Sequence, residues 1–155
     1  MAAGERARER DRLVVLYDRD CGFCRWSLAR LLAFDVRRRL RPVALQNDEA
    51  TRLLGGMDEA RRFASAHLVL PDGRVYSGGD AVAPLLGELP GGGLLSRLAS
   101  LVPGLWRAGY DAVASRRGTF GPRLSRDAVA RATARIDRHL AEPEPAPAGE
   151  HAPSR

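Results

Sequence analysis

Short apolar runs alternate with amphipathic stretches in the first third of the chain. Residues 13–17 (LVVLY) are apolar throughout, the pattern of a strand that is buried on both faces of a sheet. After three charged residues, large apolar side chains recur at helical spacing, which predicts a helix with Cys21 at its N-terminus and Cys24 one turn later. Residues 41–46 (RPVALQ) predict a second strand, and Pro42 indicates the start of that strand or an edge position, because proline cannot donate a ladder hydrogen bond.

The middle of the chain predicts a further helix, a hairpin and another helix. Residues 48–54 have a helical pattern that stops at a Gly-Gly pair. Residues 66–70 (AHLVL) and 74–77 (RVYS) flank a Pro-Asp-Gly turn, which is typical of a β-hairpin. A helix over 81–86 follows. The order of these elements predicts an α/β fold with a mixed sheet flanked by helices.

The last third of the chain reads as helical. We expect an apolar stripe around a Pro-Gly break to pack against the sheet domain, with an amphipathic, Arg-bearing helix on a membrane surface as the alternative. Residues 127–140 predict a final helix with a thinner apolar face. The stripe consists of Leu94, Leu95, Leu98, Leu101, Val102, Leu105, Trp106, Tyr110 and Val113.

Chain length limits the number of domains, because 155 residues with 45% hydrophobic composition bury one core but hardly two. We therefore predict a charged, disordered tail over 1–12 and a core over 13–90. A helical C-terminal extension over 91–140 should pack on that core. The Pro-, Ala- and Glu-rich segment 141–155 has little to bury and should be a second disordered tail.

The charge pattern excludes some classes of partner. The 25 basic residues, all arginine, exceed the 19 acidic ones, for a net charge of +6. The clusters at 37–39 and 116–117 lack the interleaved aromatics of nucleic-acid modules, so we expect a solvated basic surface and no nucleic-acid partner. Residues 1–12 lack the apolar core of a signal peptide, and no apolar run is long enough for stable membrane insertion. These features predict a cytoplasmic protein whose thiols are kept reduced.

Cys21 and Cys24 are the only cysteines, and they stand at the spacing that dithiol redox chemistry needs. On the first turn of a helix, two cysteines three residues apart lie close enough to form a disulfide. The helix N-terminus offers unpaired amides and positive potential to a thiolate. We therefore predict that Cys21 is the attacking thiol and that Cys24 resolves the mixed disulfide.

Several segments together resemble the thiol-disulfide oxidoreductase DCC family, whose signature is Asp-x-x-Cys-x-x-Cys. Asp18, Cys21 and Cys24 carry that signature here. Downstream, "LRPVALQ", "DGRVYSGGDAV" and "VPGLWRAGYDAVASRRG" resemble the second strand, the hairpin with its following helix start, and the C-terminal segment of the family, so the resemblance covers roughly residues 13–120. It implies a thioredoxin-like fold and a redox role. Tyr110 also matches the family pattern, but its chemistry does not follow from the sequence.

The candidate site follows from the dithiol and from this resemblance. Asp18 either caps the helix start or relays protons to the cysteines, and the two roles are compatible. By comparison with thioredoxin-like enzymes, Ser65 takes the place of the cis-proline that faces the cysteine pair. We predict Cys21, Cys24 and Asp18 as catalytic residues and Gly22, Phe23, Ser65 and Trp26 as substrate-binding residues. The substrate would be a protein or small-molecule disulfide, with an unidentified reductant and no cofactor.

A non-catalytic binding protein that uses the cysteines for zinc or partner contact is the alternative. The further zinc ligands would have to come from a second chain or from the three histidines, none of which has ligand-like spacing, so no metal site is assigned. We expect His139 and His151 to face solvent. His67 follows Ser65 closely in sequence and is expected to approach the dithiol, with an ordinary structural role as its alternative to proton transfer.

Overall fold

The protein was analysed as a computed structural model, which describes residues 11–89, 91–116, 119 and 123–141. The predicted tails and His151 lie almost entirely outside these ranges, although Arg12 is described and its guanidinium donates to the Leu40 carbonyl oxygen at 2.9 Å. The strands are β1 (Leu13–Tyr17), β2 (Leu40–Ala44), β3 (His67–Val69) and β4 (Val75–Ser77). The helices are α1 (Gly22–Phe34), α2 (Asp48–Leu53), α3 (Glu59–Ala64), a 3-10 helix (Gly78–Ala81), α4 (Val82–Glu88), α5 (Gly92–Leu101), α6 (Pro103–Ser115) and α7 (Arg126–Ala141).

The four strands form one mixed sheet in the order β2-β1-β3-β4. β1 is central: it runs parallel to β2, with Leu13 opposite Leu40, and antiparallel to β3, with Val15 opposite Leu68. β2 is an edge strand, and this position tolerates the missing amide hydrogen of Pro42. The predicted mixed sheet with flanking helices is confirmed, and the arrangement is that of a thioredoxin-like α/β fold.

Alternate residues of β1 pack into two cores on opposite faces of the sheet. Leu13 and Val15 join the cluster beneath α1 and α7, whereas Val14 and Leu16 join the cluster beneath α2 and α3. The first four residues of the strand are buried, because a strand covered on both faces has no polar side. This central strand ends at the dithiol loop and so fixes where that loop begins.

The last helix is part of the core as well as of the C-terminal segment. Ala132 and Ile136 of α7 are buried against α1 and the sheet. His139 lies on the same face: it is only 6% exposed, and its Nε2 donates to the Leu40 carbonyl oxygen at 2.9 Å. The prediction that His139 faces solvent is therefore wrong. Its ring occupies the apolar side of the helix because β2 offers it a carbonyl partner there.

Because two histidines are buried, we expect the protein to lose stability in mild acid. Burial lowers the pKa of His67 and of His139, an effect that outweighs their hydrogen bonds to carbonyl oxygens and, for His139, the nearby Asp35 carboxylate. Below the ordinary histidine pKa of about 6.5, the unfolded chain binds protons that the folded chain does not, so stability is full above that pH and falls as pH decreases. Between pH 7.5 and pH 5.5 the free energy of unfolding should fall by at most about 1.4 kcal/mol for each histidine that stays neutral in the folded protein.

Urea unfolding at pH 7.5 and pH 5.5 measures this loss, and His139→Gln serves as the comparison. Glutamine keeps a donor for the Leu40 carbonyl oxygen but does not titrate, so the variant should lose about half of the pH dependence. A free energy of unfolding that is equal at the two pH values, or higher at pH 5.5, would contradict the assignment of neutral, buried imidazoles.

The leucines of the apolar stripe in α5 and at the start of α6 do not pack against the sheet domain as predicted, whereas Tyr110 of α6 contacts it by accepting a hydrogen bond from the Ala66 amide. Leu94, Leu95, Leu98, Leu101 and Leu105 are each more than half exposed. The reason is that α5 contacts α4 through its small residues instead. Ala99 is buried, the Ser96 hydroxyl donates to the Ala83 carbonyl oxygen at 2.8 Å, and a Cβ on Gly92 would lie 1.7 Å from the Leu86 carbonyl oxygen. This close approach along one face leaves the leucines on the other.

Other predicted elements need only small corrections. The second strand begins one residue early, at Leu40, and the helix after the hairpin starts with a 3-10 turn. Helix α3 was not predicted, although Asp58 accepts a hydrogen bond from the Arg61 amide at its N-terminus. Six residues with two consecutive arginines give too weak an apolar periodicity to reveal this helix. In the described part of the chain, no helix combines the length and the hydropathy required to cross a bilayer.

Candidate functional site

Cys21 is the N-cap residue of α1. Its backbone is extended, its carbonyl oxygen accepts from the Arg25 amide at 3.1 Å, and its Sγ accepts from the Cys24 amide at 3.2 Å. The sulfur therefore occupies the place that a serine or aspartate oxygen takes in an ordinary helix cap. No acidic residue lies in the first turn of the helix. Negative charge on this sulfur is stabilised by the amide and by the helix dipole.

The loop before Cys21 is held by a side chain from β2's carboxyl end. Gln46 Nε2 donates to Asp18 Oδ1 at 2.7 Å and to Asp20 Oδ2 at 3.2 Å, and its Oε1 accepts from the Arg19 amide. Asp18 Oδ1 also accepts from the Asp20 amide at 2.9 Å. Asp18 thus orders the turn that presents Cys21. Sequence reasoning missed Gln46, but the signal was available, because parallel neighbours β1 and β2 bring their following residues together.

Helix α7 packs against α1, the helix that carries the two cysteines. A Cβ on Gly22 would lie 3.3 Å from Val129 Cγ2, so glycine lets the first turn of α1 approach α7. Arg25 Nη1 donates to Thr133 Oγ1 at 3.1 Å. Gly22, predicted to bind substrate, therefore lies against the protein's own last helix, and this contact gives it a packing role.

A cavity of about 290 Å³ lies beside the dithiol, between α1, the sheet, the 3-10 helix and α6. Cys24, Asp18, Phe23 and Ser65 all line it, so the structure brings four of the predicted site residues together. Cys21 is not among its lining residues. The two cysteines are half-buried and are not joined by a disulfide.

Tyr110 closes the far side of this cavity, a role that does not follow from the sequence alone. The Ala66 amide donates to its hydroxyl at 2.8 Å, directly after Ser65. Its ring lies against Gly78, which has a φ of +56° and whose added Cβ would be 3.2 Å from two ring carbons. Ser65 itself is extended, and no peptide bond in the described ranges is cis. Tyr110 therefore fixes the segment that, by the family resemblance, faces the cysteine pair.

His67 also lines the cavity, but both of its ring nitrogens are engaged. Nε2 lies 2.9 Å from the Arg62 carbonyl oxygen, which can only accept, so Nε2 carries the hydrogen and Nδ1 accepts from the Ser77 hydroxyl at 2.8 Å. Burial lowers the pKa of the ring and keeps it neutral. The interactions favour the structural role over proton transfer.

Trp26 is placed outside the cavity. Its ring stacks on Phe23 with the centroids 6.2 Å apart, and the Arg30 guanidinium lies 5.0 Å from its centroid. The remainder of the side chain packs against the core cluster below α1. Trp26 can therefore position Phe23 at the cavity wall, but the cavity itself does not include it.

In the described ranges, no group of three or more His, Cys, Asp or Glu side chains is placed to hold a metal ion. His67 and His139 make hydrogen bonds to backbone carbonyl oxygens at separate places in the core. The geometry thus offers two thiols, a helix N-terminus and an adjoining apolar cavity, an arrangement suited to thiol-disulfide exchange.

Comparison with known proteins gives one match. A family model described as DCC1-like thiol-disulfide oxidoreductase matches residues 15–122, which is more than half of the chain. No curated protein and no solved structure matches it. The matched segment includes the last three residues of β1, both cysteines, Ser65, the cavity walls and Tyr110.

Proposed function

Starting from the chain's membership of the DCC1-like thiol-disulfide oxidoreductase family, we propose that Cys21 is its nucleophile and Cys24 its resolving thiol. The observation that carries this assignment is the N-cap position of Cys21, whose Sγ accepts the Cys24 amide hydrogen at 3.2 Å. A thiolate is the reactive form in exchange, and this amide and the helix N-terminus favour it at Cys21. Cys24 lies one turn further into the helix than Cys21.

The proposed reaction has two exchange steps. The Cys21 thiolate bonds to one sulfur of a substrate disulfide, the substrate S–S bond breaks, and the other sulfur leaves as a thiolate. The Cys24 thiolate then bonds to Cys21 Sγ and releases the second substrate thiol. Two electrons pass from the dithiol to the substrate, and an external thiol reductant restores the dithiol. The same steps run in reverse when the protein acts as an oxidant.

Asp18 has a positioning role in this proposal. Its Oδ1 is occupied by the Gln46 amide group and the Asp20 amide, and these bonds hold the turn that presents Cys21. Asp18 and Cys24 line the same cavity, and we propose that the carboxylate also influences proton transfer during resolution.

A redox titration of the full-length protein tests the proposed chemistry. After equilibration at graded ratios of reduced to oxidised dithiothreitol, trapping of the remaining thiols should show one reversible two-electron transition between dithiol and disulfide. Cys21→Ser should show none, since the remaining cysteine has no intramolecular partner. A wild-type protein that forms no Cys21–Cys24 disulfide at any ratio would overturn the proposal.

A further inference from the structure

We infer that the cavity beside Cys24 binds an apolar group of the substrate, so that the preferred disulfides carry an aryl or branched alkyl arm within a few bonds of the attacked sulfur. This inference rests on the proposed function for the chemistry, but its observation is separate: a cavity of about 290 Å³ with Cys24 in its wall. A cavity of roughly 150 Å³ is enough to hold benzene, and small-molecule pockets begin at about 300 Å³.

The cavity wall is apolar in character. It is built mainly from aliphatic side chains of β1, α1, α4 and α6, among them Leu28, Leu31, Leu85 and Val113. Asp18 carries the only formal charge among the lining residues of the described chain. An occupant therefore gains from burying apolar surface, and a negatively charged head finds no charged partner of opposite sign in the described wall.

Several polar groups in the wall are already hydrogen-bonded within the protein. The Tyr110 hydroxyl accepts from the Ala66 amide, both His67 nitrogens are hydrogen-bonded, and Asp18 Oδ1 accepts twice. These bonds fix the shape of the wall without calling for a polar ligand. A negatively charged arm would lose its hydration in the cavity without an ionic partner of opposite sign to replace it.

The position of the dithiol sets where the arm attaches. Cys21 Sγ lies 3.2 Å from the Cys24 amide nitrogen, and the Cys24 side chain lines the cavity. An arm bonded through sulfur to Cys21 therefore needs only a few bonds to pass Cys24 and enter. During resolution, Cys24 attacks Cys21 Sγ and the apolar thiol is released beside its binding cavity.

Two disulfides of 2-mercaptoethanol supply the test. One is its mixed disulfide with 2-phenylethanethiol and the other is the symmetric 2-hydroxyethyl disulfide. The full-length protein is assayed for reduction of both, with dithiothreitol as the electron donor. The wild-type kcat/KM should favour the phenylethyl compound at least about tenfold after subtraction of the uncatalysed rate. Ala114→Leu, which extends into the cavity, should bring the ratio near one. Ala112→Leu, an exposed position on the same helix, should keep the wild-type ratio.

A second filling variant guards against misfolding of the first. Val82→Phe narrows the cavity from α4 and should also lower the ratio. Equal kcat/KM for the two disulfides in the wild type, or an undiminished ratio in both filling variants, would overturn the inference. Two peptide disulfides, one with Phe and one with Ser beside the cysteine, show whether the apolar arm belongs to a protein or to a small molecule. Faster reduction of the Phe peptide assigns the cavity to protein disulfides, and equal rates of reduction assign it to low-molecular-weight disulfides.

Binding without exchange separates this inference from the proposed function. Cys21→Ser removes the attacking thiol but leaves the cavity lining intact. In this variant 2-phenylethanol should shift the methyl NMR signals of Ala66, Ala81 and Ala114. Such shifts, together with the absence of a redox couple in the wild type, would overturn the proposed function alone. Their absence, together with a normal redox couple in the wild type, would overturn the cavity assignment alone.

Discussion

Cys24→Ser should accumulate a covalent adduct with its disulfide substrate, while Cys21→Ser should form almost none. Attack at Cys21 is favoured by the amide that caps its sulfur, so the first exchange step survives in Cys24→Ser. Resolution does not, because the serine hydroxyl cannot attack the mixed disulfide. The amount of adduct in Cys24→Ser should therefore exceed the amount in the wild type by at least about tenfold, since only the second step removes the adduct.

A non-reducing gel of the two purified variants, incubated with an excess of a disulfide-bonded test protein, measures this asymmetry. A reductant added to a parallel sample should abolish the high-mass band and thereby show that it is a disulfide. Equal adduct in the two variants would mean that neither cysteine has a privileged attacking role. If neither variant forms an adduct, the binding-protein alternative gains support.

Gly79→Ala should destabilise the fold, and Gly109→Ala should stabilise it. A Cβ at Gly79 would lie 2.5 Å from both Arg107 Cα and the Trp106 carbonyl oxygen, so the 3-10 helix and α6 would have to separate. Overpacking of this kind lowers the free energy of unfolding by about 1–3 kcal/mol. Gly109 has no atom within 4 Å of its would-be Cβ, and alanine there should add about 0.5–1 kcal/mol through helix propensity.

Urea unfolding of both variants provides the free energies, and hydrogen exchange identifies the cause. The Ala66 amide donates to the Tyr110 hydroxyl of α6, so displacement of α6 should speed exchange at Ala66 in Gly79→Ala and not in Gly109→Ala. Similar stability changes in the two variants would show that the close contact at Gly79 does not hold α6 in place.

The first half of the fold follows from the sequence because its signals are local. The uninterrupted apolar run of β1 predicted a strand that is buried on both faces, and the first four residues of β1 are buried. The Pro-Asp-Gly turn predicted the β3–β4 hairpin, and the helical spacing of the apolar residues that follow Cys21 placed this cysteine at a helix start. In each case a few neighbouring residues determine the backbone, so no tertiary information was needed.

The remainder depends on contacts between distant residues. Gln46 and Tyr110 acquire their roles only when the sheet brings Asp18 and Ala66 near them. His139 is buried because β2 leaves a carbonyl oxygen for it, a partner 99 residues away in sequence. The leucines of α5 read as a packing face, but the small residues on the opposite face approach α4 more closely. Apolar periodicity identifies a helix face without identifying which neighbour covers it.

The packing of α7 on α1 limits when the helix that carries the dithiol can become ordered during protein synthesis. Leu28 and Leu32 of α1 share a core with Ala132 and Ile136, and Gly22 rests against Val129. A ribosome makes both cysteines more than one hundred residues before these partners. A nascent chain therefore presents its thiols on an incompletely packed helix, and any chaperone or oxidant that meets the chain at that stage encounters a dithiol that has not yet been anchored.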